Sequence, residues 1–126
     1  MIIGIGLDLC SVEKGRQMLA NERFLQRIFT EEEQAYFLSK GVGAAASCAG
    51  CFAVKEAVLK ALGIGLRIPL QNIEVKHDAS GAPQCTLTGK AKEIALSLGA
   101  TSILISITHE ENMAAAVAVI EGVSKA

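Results

Sequence analysis

Apolar residues alternate with small or polar ones at the start of the chain: Ile3, Ile5, Leu7 and Leu9 fall on odd positions, Gly4, Gly6 and Asp8 on even ones. A period of two is that of a β-strand, here with one greasy face and one nearly bare. The bare face is expected to leave open volume beside the single carboxylate of Asp8, because glycine lets another group approach closely. From about Ser11 to Leu38 the pattern reads as two or three short helices, and Thr30-Glu31-Glu32-Glu33 has the spacing of a capping box. Gly41 and Gly43 punctuate the chain before a long helix, predicted from about Ala45 to Leu62 and stopped by Gly63 and Gly65. Strands are predicted over Ile68 to Val75 and Gln84 to Leu87, around a turn from Asp78 to Gly81. Thr88 is placed as the N-cap of a helix from Gly89 to Leu98, with Gly99 as its stop. Ser102 to His109 and Met113 to Ile120 read as an antiparallel pair joined through Glu110-Glu111-Asn112.

Charge is sparse where the pattern is most apolar. From Gly41 to Leu66 the only charged side chains are Lys55, Glu56 and Lys60, all in the long helix, which is apolar elsewhere and so predicted to be buried. Buried carboxylates and ammonium groups are costly unless they are paired or hold a ligand. Phe52, Glu56 and Lys60 follow at steps of four and line one helix face. Glu56 and Lys60 can therefore form an intrahelical ion pair, or Glu56 can hold a metal while Lys60 meets a phosphate. Asp8, a second carboxylate isolated in an apolar strand, favours the metal, although alone it could cap the next helix. Two carboxylates beside a lysine suit Mg²⁺, which takes a few protein oxygens and fills its octahedron with water and phosphate.

His109 closes a predicted strand just after Ser106 and Thr108; it is a structural imidazole unless a phosphate lies nearby. Lys14, Arg16, Arg23 and Arg27 give the N-terminal helices a basic stripe, diluted by Glu13 and Glu22. That stripe is either a solvated face or a docking surface for an acidic partner. Cys48-Ala-Gly-Cys51 imitates a redox or zinc motif but lacks a second pair and the usual histidine spacing, so small packing residues are expected. Gly4-Ile-Gly6 does not make a nucleotide fingerprint, since its glycines lie inside the strand and no third glycine opens a helix.

Composition narrows the classes. A chain of 126 residues fits one domain over 1–126, and its 51% hydrophobic content with mean hydropathy +0.40 is rich enough to suggest surface shared between subunits. A net charge of −1 and a pI near 6.1 carry no overall positive field for nucleic acid or a membrane surface. No run reaches the roughly 18 uncharged apolar residues of a membrane span, and no basic leader opens the chain. A cytoplasmic protein with four reduced cysteines is the expectation, and aromatic content of 4% argues against stacking on single-stranded nucleic acid.

Three segments together, Gly4-Ile-Gly6-Leu-Asp8, Phe52-Ala-Val-Lys55-Glu56-Ala-Val-Leu-Lys60-Ala-Leu-Gly63 and Ile105-Ser106-Ile-Thr108-His109, resemble holo-acyl-carrier-protein synthases, the small bacterial type of 4′-phosphopantetheinyl transferase. The resemblance covers nearly the whole chain. It implies an α+β fold, an antiparallel sheet packed with a long central helix, assembled as a homotrimer with active sites between subunits. The reaction it implies moves the 4′-phosphopantetheine arm of coenzyme A onto a serine of apo-acyl carrier protein and releases 3′,5′-ADP. By the same resemblance Asp8 and Glu56 hold Mg²⁺, and Lys60 and His109 approach the phosphates of coenzyme A. Ser106 and Thr108 would line that pocket, while Gly81 and Pro83 match a turn near the adenine. The chain departs from the family where Cys51 replaces an arginine that contributes to coenzyme A binding, where Lys14 replaces a carrier-contacting arginine, and at Ala82, often lysine. Rival readings are a thiol redox protein using Cys48 and Cys51, and a non-catalytic trimeric binding module.

Overall fold

The computed structural model describes residues 1–123, so the last three positions of the unit expected over 1–126 lie outside the described residues. Strand β1 (Ile2–Ser11) leads into three short helices, α1 (Val12–Leu19), α2 (Glu22–Ile28) and α3 (Glu31–Ser39), and then the long helix α4 (Ala44–Leu62). After it come β2 (Ile73–His77), β3 (Pro83–Leu87), α5 (Gly89–Ser97), β4 (Ala100–His109) and β5 (Met113–Gly122). The strands form an antiparallel sheet in the order β1-β5-β4 and a separate β2-β3 hairpin. The chain has the α+β architecture that the resemblance implies, with α4 laid across the three-stranded sheet.

Each of the three short helices α1–α3 starts where its sequence supplies an acceptor. Ser11 Oγ takes the Lys14 N–H, Asn21 Oδ1 takes the Phe24 N–H, and Thr30 with Glu33 closes a full capping box. Helix α4 ends at Gly63, whose φ of +73° is the left-handed conformation that glycine adopts without penalty. By length and composition Gly41–Leu62 could cross a membrane, yet 67% of its most apolar window is buried inside the protein, as in a core helix.

Two expectations fail locally. Ile68 to Asn72 is not strand: a 3-10 turn spans Leu70–Asn72, and the Leu70 and Ile73 carbonyls bend inward to accept from Lys55 Nζ. Thr88 caps α5 by position only. The acceptor is Asn72 Oδ1, which takes the N–H groups of Lys90 and Ala91 from across the fold.

The first strand is turned opposite to the simplest reading of its pattern. Its bare face packs against α4 and holds no open volume beside the glycines: a Cβ on Gly4 would collide with the Ala61 carbonyl, and one on Gly6 with that of Ala57. Glycine brings the strand and helix backbones together, and Asp8, next on the same face, arrives level with the middle of α4. The greasy face points away from the core, leaving Ile5 and Leu7 64% exposed and Leu9 62%. Val117, Val119 and Leu104 continue this apolar outer face through the strand register.

Beneath the sheet, residues of α3, α4, α5 and every strand join a contiguous apolar cluster. Within it Lys55 is fully buried and paired to Glu33 at 2.9 Å. Glu33 also accepts from the Thr30 and Val75 N–H groups at 2.9 and 2.8 Å and from the Cys51 thiol at 3.4 Å. Every oxygen of the pair thus has a partner, which is the condition for tolerating buried charge.

Candidate active site

Asp8, Glu56 and Lys60 meet on the inner face of the sheet. Lys60 Nζ donates to Asp8 Oδ1 at 2.9 Å and to the Leu7 carbonyl at 3.0 Å, so its partner is the distant Asp8 rather than its helix neighbour Glu56. Glu56 is half-buried, and its carboxyl is pushed above the ordinary value by burial, then by the charge of Asp8 and a hydrogen bond with it. Asp8 in turn holds the exposed Lys60 ammonium above its usual range. Two carboxylates this close repel unless a proton or a cation lies between them.

The donor set fits a hard divalent cation. An ammonium already occupies one Asp8 oxygen, and Glu56 is raised by burial and then by the charge of Asp8 beside it. Among the described residues no third His, Cys, Asp or Glu joins them. Mg²⁺ suits two protein oxygens, since it keeps water and phosphate as its other ligands.

His109 ends β4 on the same sheet face as Asp8, because Asp8 pairs with Ala116 and Ala116 with Ile107 in the register. One strand separates them, a distance of about 10 Å in the hydrogen-bonding direction. His109, Gly81 and Pro83 come together at a cavity of about 170 Å³ beside the first half of α4. Ser106 and Thr108 do not join it. They alternate with Ile107 and His109 and sit on the outer face, opposite Leu7 and Leu9 through Val117 and Ala115.

Of the basic stripe, Lys14 belongs partly to this site: its Nζ lies 4.7 Å from the centre of the Phe52 ring and its charge reaches Glu56. Arg16 pairs with Glu13 at 2.8 Å in solvent, and Arg23 and Arg27 are exposed on α2. Cys51 is buried against Glu33 and points into the core. Cys48 is also buried, its thiol pushed up to about 12 mainly by loss of solvent, so neither sulfur is set up for thiolate chemistry.

Two residues beside the cavity escaped the sequence reading. Tyr36 of α3 stacks on His77 at the end of β2, with ring centres 4.0 Å apart and planes within 3°. His77 lies two residues beyond the strand that the sequence predicts and Tyr36 sits on another helix, so neither left a local signal.

Comparison with known proteins follows the same lines. A family model described as the 4′-phosphopantetheinyl transferase superfamily matches residues 4–118. The chain is 46% identical to the holo-acyl-carrier-protein synthase of Treponema denticola, covering 97% of this chain and 100% of that one. The acyl carrier protein synthase of Plasmodium yoelii, solved with ADP bound, matches with TM-score 0.85 and 34% identity over 98% of each chain. The Helicobacter pylori holo-acyl-carrier-protein synthase, solved in complex with coenzyme A, matches with TM-score 0.79 and 30% identity over 93% of this chain and 99% of that one. With the Asp8, Glu56 and Lys60 cluster set in this fold, the chain belongs to the 4′-phosphopantetheinyl transferase superfamily and, within it, to the holo-acyl-carrier-protein synthases.

Proposed function

We propose that Asp8 and Glu56 are the cation-holding pair of this phosphopantetheinyl transferase, which moves the 4′-phosphopantetheine group of coenzyme A to a serine of apo-acyl carrier protein. The observation that carries this reading is the meeting of two carboxylates, Asp8 from β1 and half-buried Glu56 from α4, beside Lys60. In the reaction the serine Oγ attacks the phosphorus attached to pantetheine, the bond to 3′,5′-ADP breaks, and the hydroxyl proton passes to a base. Mg²⁺, when bound, supplies positive charge to the diphosphate. Lys60 reaches in from solvent and adds hydrogen bonds to the same oxygens. Either Glu56 or a water beside the cation takes the serine proton.

His109, Gly81 and Pro83 belong to the nucleotide end of the coenzyme A cleft, which their shared cavity supports. Gly50 on the cavity wall lies six residues before Glu56, about 9 Å along the helix axis, within the reach of a nucleotide from its diphosphate. Lys14, Arg16, Arg23 and Arg27 are the carrier-docking surface, where exposed charge acts on encounter and orientation. The apolar outer face supports a homotrimer, and Ser106 and Thr108, which share it, then serve an active site between subunits. Residues 1–126 act as a single transferase domain. Four unpaired cysteines agree with a reducing cytoplasm.

The test is loading of apo-carrier with coenzyme A and Mg²⁺, followed by mass spectrometry of the carrier. Asp8→Ala and Glu56→Ala are expected to lower the rate about 100-fold or more, the scale seen when one group stabilising developing charge is lost. Wild-type rates from either variant would refute the assignment.

A further inference from the structure

Helix α4 carries Lys55, Glu56 and Lys60, and the transfer reaction leaves Lys55 without a part. Lys55 is fully buried, and its Nζ donates to Glu33 Oε1 at 2.9 Å, to the Leu70 carbonyl at 2.9 Å and to the Ile73 carbonyl. An ammonium has only three protons to donate, so acceptors from α3, the 3-10 turn and the start of β2 saturate it. Glu33 is held as firmly, since its oxygens also accept from the Thr30 and Val75 N–H groups and from the Cys51 thiol.

Stability alone is a poor account of such a group. Apolar side chains of similar volume often match or better a buried ion pair, because desolvation offsets the attraction. What the pair adds to apolar packing is direction. Helix α4 is buried along most of its length through small and apolar residues, and apolar contact has no preferred orientation. The close approach at Gly4 and Gly6 sets how far β1 lies from the helix backbone. Outside the Asp8 cluster, the hydrogen bonds that α4 side chains make to other elements come, among the described residues, from Cys51 and Lys55.

Glu56 is the next residue, about 100° around the helix from Lys55. At the roughly 5–6 Å radius of a helix with its side chains, a turn of about 20° would carry the Glu56 carboxyl about 2 Å. Mg²⁺ demands near-ideal octahedral geometry, and a misplacement of about 1 Å caused far from the chemistry is enough to cost about 100-fold in rate. Resting on the reading of Asp8 and Glu56 as the cation-holding pair, we propose that Lys55 is a positioning residue for the transfer reaction: bonded to Glu33, Leu70 and Ile73, it fixes the rotation of α4 and so holds the Glu56 carboxyl opposite Asp8. Glu33 is the counter-charge that lets the ammonium stay there.

The experiment is titration calorimetry of the intact protein with MgCl₂ alone, beside carrier loading over a range of MgCl₂. Lys55→Met keeps an unbranched buried side chain and removes the ammonium. Combining it with Glu33→Gln also removes the stranded carboxylate and keeps an oxygen for the Val75 N–H. Circular dichroism through the melting transition identifies the variants that are folded at the assay temperature. A folded variant is expected to bind Mg²⁺ about tenfold more weakly, the scale on which losing a residue that supports a ligand weakens a metal site. It needs correspondingly more MgCl₂ for half its maximal loading rate. Wild-type Mg²⁺ affinity in a folded variant overturns the inference, whether or not its loading rate falls. If Lys55→Met does not fold, the double variant, which leaves no unpaired buried charge, carries the comparison. Unchanged Mg²⁺ affinity in these variants, with Asp8→Ala and Glu56→Ala impaired in loading, sinks this inference alone. Full loading by Asp8→Ala and Glu56→Ala sinks the cation reading and this inference with it.

Discussion

Glu56 shows how one residue's surroundings set its behaviour. Burial and the nearby Asp8 both favour its protonated form, so in the metal-free protein its contribution to stability is present at low pH and lost as pH rises through the raised value. A divalent cation acts in the opposite direction, because it binds the carboxylate and competes with the proton. The rise in melting temperature on adding MgCl₂ is therefore expected to be larger at pH 7.5 than at pH 5. At a concentration 100 times Kd the gain is about 2.7 kcal/mol. Equal shifts at the two pH values, or none at either, would contradict a cation held by Glu56. At this scale the sequence was informative because isolated charges in apolar segments are rare and each needs a reason. It was silent on partners: Lys60 pairs with Asp8 rather than with its neighbour four residues away, and the charge of Lys55 is met by Glu33, which the sequence marks only as part of a capping box.

Among the elements, Glu33 and Lys55 tie α3 to α4, and Glu33 further fastens β2 through the Val75 N–H. Glu33→Ala leaves an uncompensated ammonium in the core and is expected to lower unfolding free energy by about 3–5 kcal/mol. Denaturant unfolding followed by circular dichroism measures it, and a loss below about 1 kcal/mol would show the pair to be dispensable. Element types were legible because their periods are clear over long stretches and their caps are local. Where the structure departed from expectation, a long-range group had intervened. The buried Lys55 draws the Leu70 and Ile73 carbonyls inward where the expected strand loses its first residues and begins only at Ile73, and Asn72 caps a helix 17 residues further on at Gly89. Neither event leaves a trace in local spacing.

In the whole molecule the main unmatched feature is the apolar outer sheet face, larger in character than the scattered exposed hydrophobics of a monomer. Association into a trimer predicts a particle of about three times 13.2 kDa by light scattering. Leu7→Glu is expected to release monomers and, if sites lie between subunits, to abolish carrier loading although Leu7 is not among the proposed catalytic or binding residues. A fully active monomer would remove the case for shared sites. The alternation in β1 was visible from the start; which of its faces turned inward was not, because only the helix backbone waiting at Ala57 and Ala61 decides it.

That alternation has an evolutionary consequence. Beyond the irregularity between Ile2 and Gly4, odd positions of β1 serve the exterior and even positions carry Gly4, Gly6 and Asp8 to the interior, so a single-residue insertion or deletion between Gly4 and Asp8 would exchange the two sets. Bulky side chains would then be driven into α4 and the carboxylate out to solvent in one event. Point changes can drift along this strand, but its length cannot.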